Sequence, residues 1–415
     1  MNAFSRRGAC PALSAPMQTG DGLLVRLNPV SGGPSSGGLS PKQLIALAES
    51  ASRHGNGIME VTARGSLQIR GLTAASAALL ATEVDSLGIE VRTGVPVETG
   101  PLAGIDPREA ADPRPLAGRI RDAIDKAGLT PRLGPKVSVV VDGGGQLTMD
   151  AVTADVRLKA VRSGHDIIWS VSVAGDGRSA KLLAKVDAEA ARDIAVAALR
   201  MVAEKGREAH TRDLSERQLA SLAGWLYLTG PREAPLSVLP DISPSRGEIG
   251  SVAAGSVSEA SPQVSTFAIG KTIGAGTISP LEGEMSGRTE GGASRKPIGL
   301  FALASSTFTL GIGLPFGSMP ANRIIDLAQS ALTLGTTEIR LAPGRALLFL
   351  GQPTHTNNPL QQIAASLGFV TSPTDPRTRI AACPGTPACA SGRIATRDIA
   401  EQIAAESSDN LDFTL

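Results

Sequence analysis

The chain contains one pattern twice, and this internal repeat limits the folds open to it more than any other feature. Residues 39–71 align without a gap with residues 319–351, at a constant offset of 280 residues. Identical pairs include Leu47/Leu327, Ala48/Ala328, Ser50/Ser330, Ala51/Ala331, Gly55/Gly335, Leu67/Leu347 and Gly71/Gly351. Chance similarity between two Ala- and Leu-rich helices would not extend, ungapped, through the strand-like second half of the segment. The repeat therefore predicts a protein built from two related units.

Each copy predicts a helix followed by two short strands. Four apolar residues of the first copy recur at the spacing of one helix face, at Leu44, Leu47, Ala48 and Ala51. The segments IMEVTA and SLQIRGL then have the content of strands around a turn at Gly65, and LLVRL before the helix predicts a further strand. Strand–helix–strand–strand units used twice predict an α+β protein with pseudo-twofold symmetry.

Between the two copies, residues 90–236 predict a separate α/β region. Two apolar segments, KVSVVVDGGGQLTMDAV and DIIWSVSVAGDGRSAKLLAKV, contain Asp-Gly turns and predict β-hairpins. Two amphipathic helices are predicted after them, ending at Gly206 and Gly230. The glycine-rich DGGGQ at 142–146 lacks the spacing and the following helix of a dinucleotide fingerprint, which favours a hairpin turn over a nicotinamide site.

Residues 241–297 differ in composition from the rest of the chain. Twenty of these 57 positions are Gly or Ser, and no apolar period persists through them. Such a composition cannot bury enough apolar surface to offset the entropy cost of ordering, so disorder is predicted.

The bulk composition excludes several classes of protein. Forty basic residues are balanced by 39 acidic ones, which excludes a generally basic nucleic-acid binder but not a local cationic pocket. Three cysteines cannot build a disulfide framework, and the N-terminus lacks the apolar core of a signal peptide. The most apolar run, at 298–314, is too short and too mixed to span a membrane. We expect a cytoplasmic protein without nucleic-acid or membrane partners.

Two of the three cysteines, Cys383 and Cys389, form a C-x5-C pair within a turn rich in Pro and Gly. Apolar residues at Ala395, Ile399 and Ile403 predict a helix after the pair, and the N-terminal amides of a helix favour thiolates and an anionic metal cluster. The spacing alone leaves two explanations open, a pair of metal ligands or two structural cysteines.

The cysteine segment IAACPGTPACASG resembles the first cluster motif of the nitrite/sulfite reductase superfamily. Further segments resemble the precorrin-3B synthase family within it, namely RRGACPALSAPMQTGDGLLVRL, VPVETGPLAGIDP, ADPRPLA and PKVSVVVDGGG. The resemblance covers nearly the whole chain except 241–297. It implies an α+β fold with two ferredoxin-like half-domains in a pseudo-twofold arrangement, alternating with α/β domains that bind a cluster and a tetrapyrrole, the second of them incomplete.

On this basis we expect five segments along the chain. They are a first ferredoxin-like half-domain at 15–89, an α/β domain at 90–236, the low-complexity insert at 237–297, a second half-domain at 298–370, and a truncated second cluster-binding domain at 371–415.

The resemblance implies a [4Fe–4S] cluster held by C-x5-C and, a few tens of residues later, by C-x3-C, since such clusters need four thiolates. Cys383 and Cys389 supply two of the four, and Cys10 belongs to a separate N-terminal motif. We therefore expect a C-terminally truncated family member, with a complementary C-terminal fragment as a candidate partner. The resemblance also implies a mononuclear non-haem iron, but the four histidines show no paired motif, so its ligands are not identified.

The family's carboxylate-rich macrocycle requires fixed cations, and arginine suits bidentate pairing with carboxylates. Arg64 and Gln68 match the superfamily's T-x-R-x-x-x-Q stretch, Arg26 matches a first-strand arginine, and Lys136 matches the first lysine of an R-K-F-K run. These four residues are the expected substrate-binding set. The alternative for each cation is an exposed position on a solvated face.

Two departures from the motifs bear on the choice of function. Ser138 replaces the second lysine of the R-K-F-K run, which favours a synthase over a reductase that grips sulfite or nitrite. The second copy has Ala342, Gly344 and Leu348 at the positions of T-x-R-x-x-x-Q, which favours one macrocycle bound by the first copy. Arg70 shares a strand face with Gln68 but matches no motif and is not assigned.

The resemblance implies a monooxygenase of cobalamin biosynthesis that uses O2 and an electron donor to hydroxylate precorrin-3A at C20 and to form a lactone. A first alternative is a truncated non-catalytic remnant or tetrapyrrole-binding subunit. A second alternative is a sirohaem nitrite/sulfite reductase, with sirohaem as a less favoured cofactor because of Ser138. Catalytic residues are not identified from the sequence.

Overall fold

The structure, a computed structural model, describes residues 11–30, 38–224, 295–406 and 413–414. These parts of the chain belong to one compact unit. The insert predicted to be disordered lies outside the described residues except at its last three positions, and so does Cys10. Among the described residues, no helix combines the length and apolar character needed to cross a membrane.

The elements follow one another in the order strand, helix, strand, strand within each half of the repeat. The helices are α1 (Pro41–His54), α2 (Ala74–Ser86), α3 (Arg114–Lys126), α4 (Ala188–Lys205), α5 (Glu216–Gly224), α6 (Ala321–Thr333), α7 (Asn357–Ser366) and α8 (Thr396–Glu406). The strands before the insert are β1 (Met17–Thr19), β2 (Gly22–Leu27), β3 (Pro29–Val30), β4 (Gly38–Leu39), β5 (Ile58–Val61), β6 (Leu67–Leu72), β7 (Glu90–Val91), β8 (Val97–Thr99), β9 (Val139–Asp142), β10 (Ala154–Ser163), β11 (Asp166–Gly175) and β12 (Lys181–Val186). The strands after it are β13 (Gly299–Ala302), β14 (Phe308–Gly313), β15 (Ser318–Pro320), β16 (Glu338–Ala342), β17 (Ala346–Leu350), β18 (Ile380–Ala381) and β19 (Phe413–Thr414).

The two copies of the repeat form two five-stranded sheets of equivalent topology. Their strand orders are β1-β2-β6-β5-β15 and β13-β14-β17-β16-β4. The short strand that precedes the helix of each copy completes the sheet of the other copy, so Met319 pairs with Met59 and Leu39 pairs with Ile339. This reciprocal exchange confirms the predicted pseudo-twofold arrangement and ties the halves together.

Helices α1 and α6 lie in one hydrophobic core shared by both sheets. Ser40 begins α1 with a capping box, because its hydroxyl accepts from the Gln43 amide while the Gln43 side chain accepts from the Ser40 amide. Leu47 and the equivalent Leu327 are both almost fully buried, and burial of each such side chain stabilises the fold by about 1.5–3 kcal/mol.

The middle region is a mixed sheet in the order β12-β11-β10-β9-β8, with β8, β9 and β10 parallel. The hairpin predicted around Asp176 is confirmed, since β11 and β12 pair antiparallel. The hairpin predicted at Asp142 is wrong. The Asp142 carboxylate accepts from the amides of Gly144 (2.8 Å) and Met149 (2.7 Å), so the chain turns away from β9 and returns in a parallel strand, which needs a longer connection than a hairpin turn.

The β5–β6 turn meets the equivalent β16–β17 turn of the other half. Gly65 has φ +80°, and a Cβ there would lie 2.8 Å from the Pro343 nitrogen, so the turn requires glycine on both counts. The Gly344 amide donates to the Ala63 carbonyl at 2.9 Å. The turn that carries Arg64 is therefore fixed against the second half of the repeat.

Candidate functional site

A large cleft lies between the first half of the repeat and the middle region. Its volume is about 1180 Å³, above the roughly 300–1,000 Å³ typical of small-molecule pockets. It is lined by the N-terminal segment before β2, by β2, by the β5–β6 turn, by the loops around β7 and by the segment before β9. All three predicted cations, Arg26, Arg64 and Lys136, line this cleft together with Ser138.

Arg64 extends from the β5–β6 turn to the middle region. Its Nη1 lies 3.5 Å from Ser138 Oγ and 3.8 Å from Glu98 Oε2, and its Nη2 donates to the Thr153 carbonyl. The side chain keeps 39% of its surface exposed. The guanidinium is thus held in place but remains accessible from the cleft.

Gln68 lies behind Arg26 and is not one of the cleft-lining residues. The two residues are opposite each other on β6 and β2. With its amide oriented to satisfy both neighbours, Gln68 accepts from Arg26 Nε (3.0 Å) and Nη2 (2.7 Å) and donates to Glu60 Oε2 (3.0 Å). The geometry makes Gln68 a support for the Arg26 guanidinium.

Two charged residues of the cleft, Arg92 and Glu98, were not assigned from the sequence. Arg92 matches no motif, and Glu98 lies in the segment VPVETGPLAGIDP, which carries the family resemblance but gave no role to this residue. Burial raises the pKa of Glu98, although Arg64, Arg92 and Arg26 oppose that rise. Burial lowers the pKa of Arg92, with Glu98 opposing. The cleft therefore pairs a buried carboxyl group with several guanidinium groups at one end.

The cysteine turn precedes α8, as predicted. Cys383 is exposed and Cys389 is half-buried, and both are free thiols. Cys383 Sγ lies 3.5 Å from Thr396 Oγ1. The Thr396 hydroxyl and the Gly385 amide lower the pKa of the Cys383 thiol, with a smaller contribution from Arg397. This environment favours a thiolate.

Arg70 joins the first half of the repeat to the cysteine turn, a role that sequence reasoning missed. The side chain is 4% exposed and pairs with Asp21 Oδ2 at 3.0 Å and Glu60 Oε2 at 3.3 Å. Its Nη2 donates to the Ala388 carbonyl at 2.7 Å. Glu60 Oε1 also pairs with Arg397 Nη2 of α8 at 2.6 Å. Buried charges therefore hold both sides of the cysteine turn.

Comparisons with known proteins agree with this architecture. The family model of the nitrite/sulfite reductase ferredoxin-like half domain matches residues 15–87. A precorrin-3B synthase from Sinorhizobium sp is 35% identical over 413 residues, which cover 100% of this chain and 76% of that relative. The chain belongs to the precorrin-3B synthase family.

The fold is also similar to that of a protein of known structure. The structure of the Mycobacterium tuberculosis NirA protein matches with a TM-score of 0.62 at 17% identity, covering 92% of this chain. The chain spans 64% of the NirA chain. These matches confirm the predicted α+β fold class and the predicted superfamily. The match to a precorrin-3B synthase also confirms the predicted family, which consists of oxidoreductases of cobalamin biosynthesis.

The described residues do not by themselves fit the metal centres that the precorrin-3B synthase resemblance implies. Cys383 and Cys389 provide two thiols, whereas a [4Fe–4S] cluster takes four. No group of three or more His, Cys, Asp or Glu residues in the described part of the chain could hold a metal ion. A cluster here would need two further thiolates from outside the described residues.

Proposed function

We propose that this chain is a precorrin-3B synthase that binds precorrin-3A in the large cleft through the carboxylates of the macrocycle. The observation that supports this proposal is the convergence of Arg26, Arg64 and Lys136 on one cleft of about 1180 Å³. The three cations come from distant parts of the sequence, and each was expected, from motif positions alone, to contact the same ligand.

The cations of the cleft would act as carboxylate clamps. The nearest protein carboxylate oxygen to Arg64 Nη1 belongs to Glu98 and lies 3.8 Å away, which is beyond hydrogen-bond length. The Arg64 guanidinium therefore retains capacity for a carboxylate of the ligand. A charge-assisted hydrogen bond of this kind contributes about 1.5–3 kcal/mol. Several such bonds would fix the ring plane and place its reacting meso carbon, which is the positioning role that a protein supplies in cofactor-dependent oxidation.

The proposed reaction adds one oxygen atom of O2 to precorrin-3A, with hydroxylation at C20 and lactone formation. The second oxygen atom leaves as water, and an electron donor supplies two electrons, with two protons taken up from solution. A [4Fe–4S] cluster, when bound, supplies one-electron transfer. We propose Cys383 and Cys389 as two of its ligands and a complementary segment with two further cysteines as the source of the others.

A second candidate is a tetrapyrrole-binding subunit without chemistry of its own. It is favoured by one observation, that the described residues offer two thiols and no group of three potential metal ligands. A sirohaem reductase is less well supported, because the buried Ser138 replaces a lysine of the reductase motif. We also propose that the protein acts in the cytoplasm, because its three cysteines cannot build the disulfide framework typical of exported proteins.

A turnover experiment separates these candidates. The chain is incubated with precorrin-3A, O2 and a reductant, with and without a segment that carries the C-x3-C motif, after reconstitution with iron and sulfide. A synthase converts precorrin-3A to a product heavier by one oxygen atom when the segment is present. Binding without conversion under both conditions would favour the subunit. A Soret band after reconstitution with sirohaem, together with sulfite or nitrite reduction, would favour the reductase.

A further inference from the structure

A second cleft adjoins the large one. Its volume is about 780 Å³, and the two clefts share four lining residues, Arg64, Pro135, Lys136 and Ser138. Lys136 and Arg64 therefore stand on a ridge between two cavities rather than at the wall of one. A macrocycle clamped by them from the large cleft would place some of its substituents over the second.

The far wall of the second cleft is the segment that follows α4. Arg207, His210 and Arg212 of this segment line the cleft. Arg207 and Arg212 are exposed, and Arg207 Nη1 donates to the Pro131 carbonyl at 3.1 Å, which holds that guanidinium at the rim. None of these residues was assigned from the sequence.

This wall is fixed to the ridge by buried contacts. Asp155 is 6% exposed, and its carboxylate accepts from the Ser138 amide (3.1 Å) and the Thr211 amide (3.0 Å). The same carboxylate pairs with His210 Nδ1 at 3.0 Å. A Cβ at Gly134 would lie 2.2 Å from the Arg207 carbonyl oxygen, so the two segments touch backbone to backbone. The two backbone segments that carry the cations of the second cleft are thus held against each other.

The charges of the second cleft favour an anionic ligand. Its basic side chains are Arg64, Lys136, Arg207 and Arg212, with His210 beside them. Of the two acidic side chains that line it, Asp155 already accepts from two amides and the histidine. Glu208 is exposed at the rim. Arginines with a shared lysine suit planar carboxylates.

We propose that the second cleft is a separate subsite for the outlying carboxylate arms of a metal-free tetrapyrrole, with Arg207 and Arg212 as specificity-determining residues. This inference rests on the proposed function, because the ligand must lie in the large cleft for its arms to cross the Arg64–Lys136 ridge. The two clefts together form one trough that selects macrocycles carrying carboxylates around their whole rim.

Equilibrium titration of the full chain with uroporphyrin, a stable metal-free tetrapyrrole with eight carboxylates, tests the subsite. Arg212→Gln and Arg207→Gln are compared with Arg178→Gln, which removes an exposed arginine of the β11–β12 turn that lines neither cleft. We expect Arg212→Gln to weaken binding roughly tenfold and Arg178→Gln to leave it unchanged. Hydrogen exchange at 206–213 should slow when uroporphyrin binds to the unsubstituted chain.

The outcomes separate this inference from the proposed function. Weakening by Arg64→Gln with no change in Arg207→Gln and Arg212→Gln, and no protection at 206–213, would overturn the second subsite while leaving the large cleft intact. No uroporphyrin binding at all, or binding that is insensitive to Arg26→Gln and Arg64→Gln, would overturn both. Circular dichroism of each variant confirms that the fold is retained.

Discussion

The Arg70 guanidinium donates to the Ala388 carbonyl at 2.7 Å, a bond between residues 318 positions apart. Ala388 immediately precedes Cys389, and Arg70 lies on β6, two residues from Gln68. Because Gln68 supports Arg26 of the large cleft and both Gln68 and Arg70 contact Glu60, one buried polar network connects the cleft to the cysteine turn.

Replacement of Arg70 should destabilise the protein strongly. Arg70→Met leaves the Asp21 and Glu60 carboxylates without their buried partner, and loss of one member of a buried ion pair costs about 3–5 kcal/mol. Urea unfolding measures the change in the free energy of unfolding. Arg53→Met is the matched control, because Arg53 is 54% exposed in its pair with Glu83 and such surface pairs contribute about 0–1 kcal/mol. Equal, small losses in both variants would contradict the role given to Arg70.

The β1–β2 turn should not tolerate a side chain at Gly20. A Cβ there would lie 2.3 Å from the Pro387 carbonyl oxygen of the cysteine turn, so Gly20→Ala must displace backbone, at a cost of about 1–3 kcal/mol. Gly118→Ala is the control, since nothing lies within 4 Å of that position and alanine in a helix is favoured by up to about 1 kcal/mol. Thermal unfolding should show opposite shifts, and the alkylation rate of Cys389 should change only in Gly20→Ala. Unchanged behaviour of Gly20→Ala on both measurements would show that the turns are not in contact.

Stability should depend on pH through Glu109. Burial raises the pKa of this carboxyl to about 8 from the usual 4.5, and Asp106, Asp112 and Asp142 add to the rise while the Gly104 amide opposes it. Since the folded-state pKa lies above the unfolded one, the protonated group contributes stability below about pH 4.5, and this is lost as the pH rises through about 8. Glu109→Gln should therefore gain stability relative to the unsubstituted chain between pH 5 and pH 9, measured by melting temperature. If the melting temperatures of the two proteins change in parallel with pH, the raised pKa of Glu109 is contradicted.

Cluster assembly should depend on thiols outside the described residues. The chain reconstituted anaerobically with iron and sulfide should hold far less than one [4Fe–4S] cluster per chain, because Cys383 and Cys389 supply two of four ligands. Addition of a segment with C-x3-C should raise the content to near one, and Cys383→Ser should prevent that rise. A full, stable cluster on the 415-residue chain alone would contradict this account of the ligands.

The spacing of apolar residues along the sequence predicted those helices and strands that bury one face in the core. The helix face at Leu44, Leu47, Ala48 and Ala51 is buried against the second copy, and the strands around Gly65 form as expected. The exchange of β4 and β15 between the halves was not predicted, because strands of two or three residues carry no period and their partners lie in the other copy.

Long-range polar contacts explain what the sequence did not reveal about the site. Arg70 was left unassigned because its partners, Asp21, Glu60 and a carbonyl of the cysteine turn, become neighbours only in the folded chain. The prediction of a hairpin at Asp142 was wrong for a related reason. The Asp142 carboxylate accepts from the amide of Met149, seven residues further along the chain. The family motifs did identify Arg26, Arg64 and Lys136. Their place in one cleft supports the proposal that they bind the carboxylates of the macrocycle.

Binding of precorrin-3A to the purified chain, titrated anaerobically by absorbance, is the most direct test of the account. We predict saturable binding of one molecule per chain, weakened by roughly 10–100-fold in Arg64→Ala through loss of a charge-assisted bond, with smaller losses in Arg26→Gln and Lys136→Gln and none in Arg178→Ala. Absence of saturable binding, or an affinity that none of the three cleft substitutions changes, would contradict the claim that this cleft holds the tetrapyrrole.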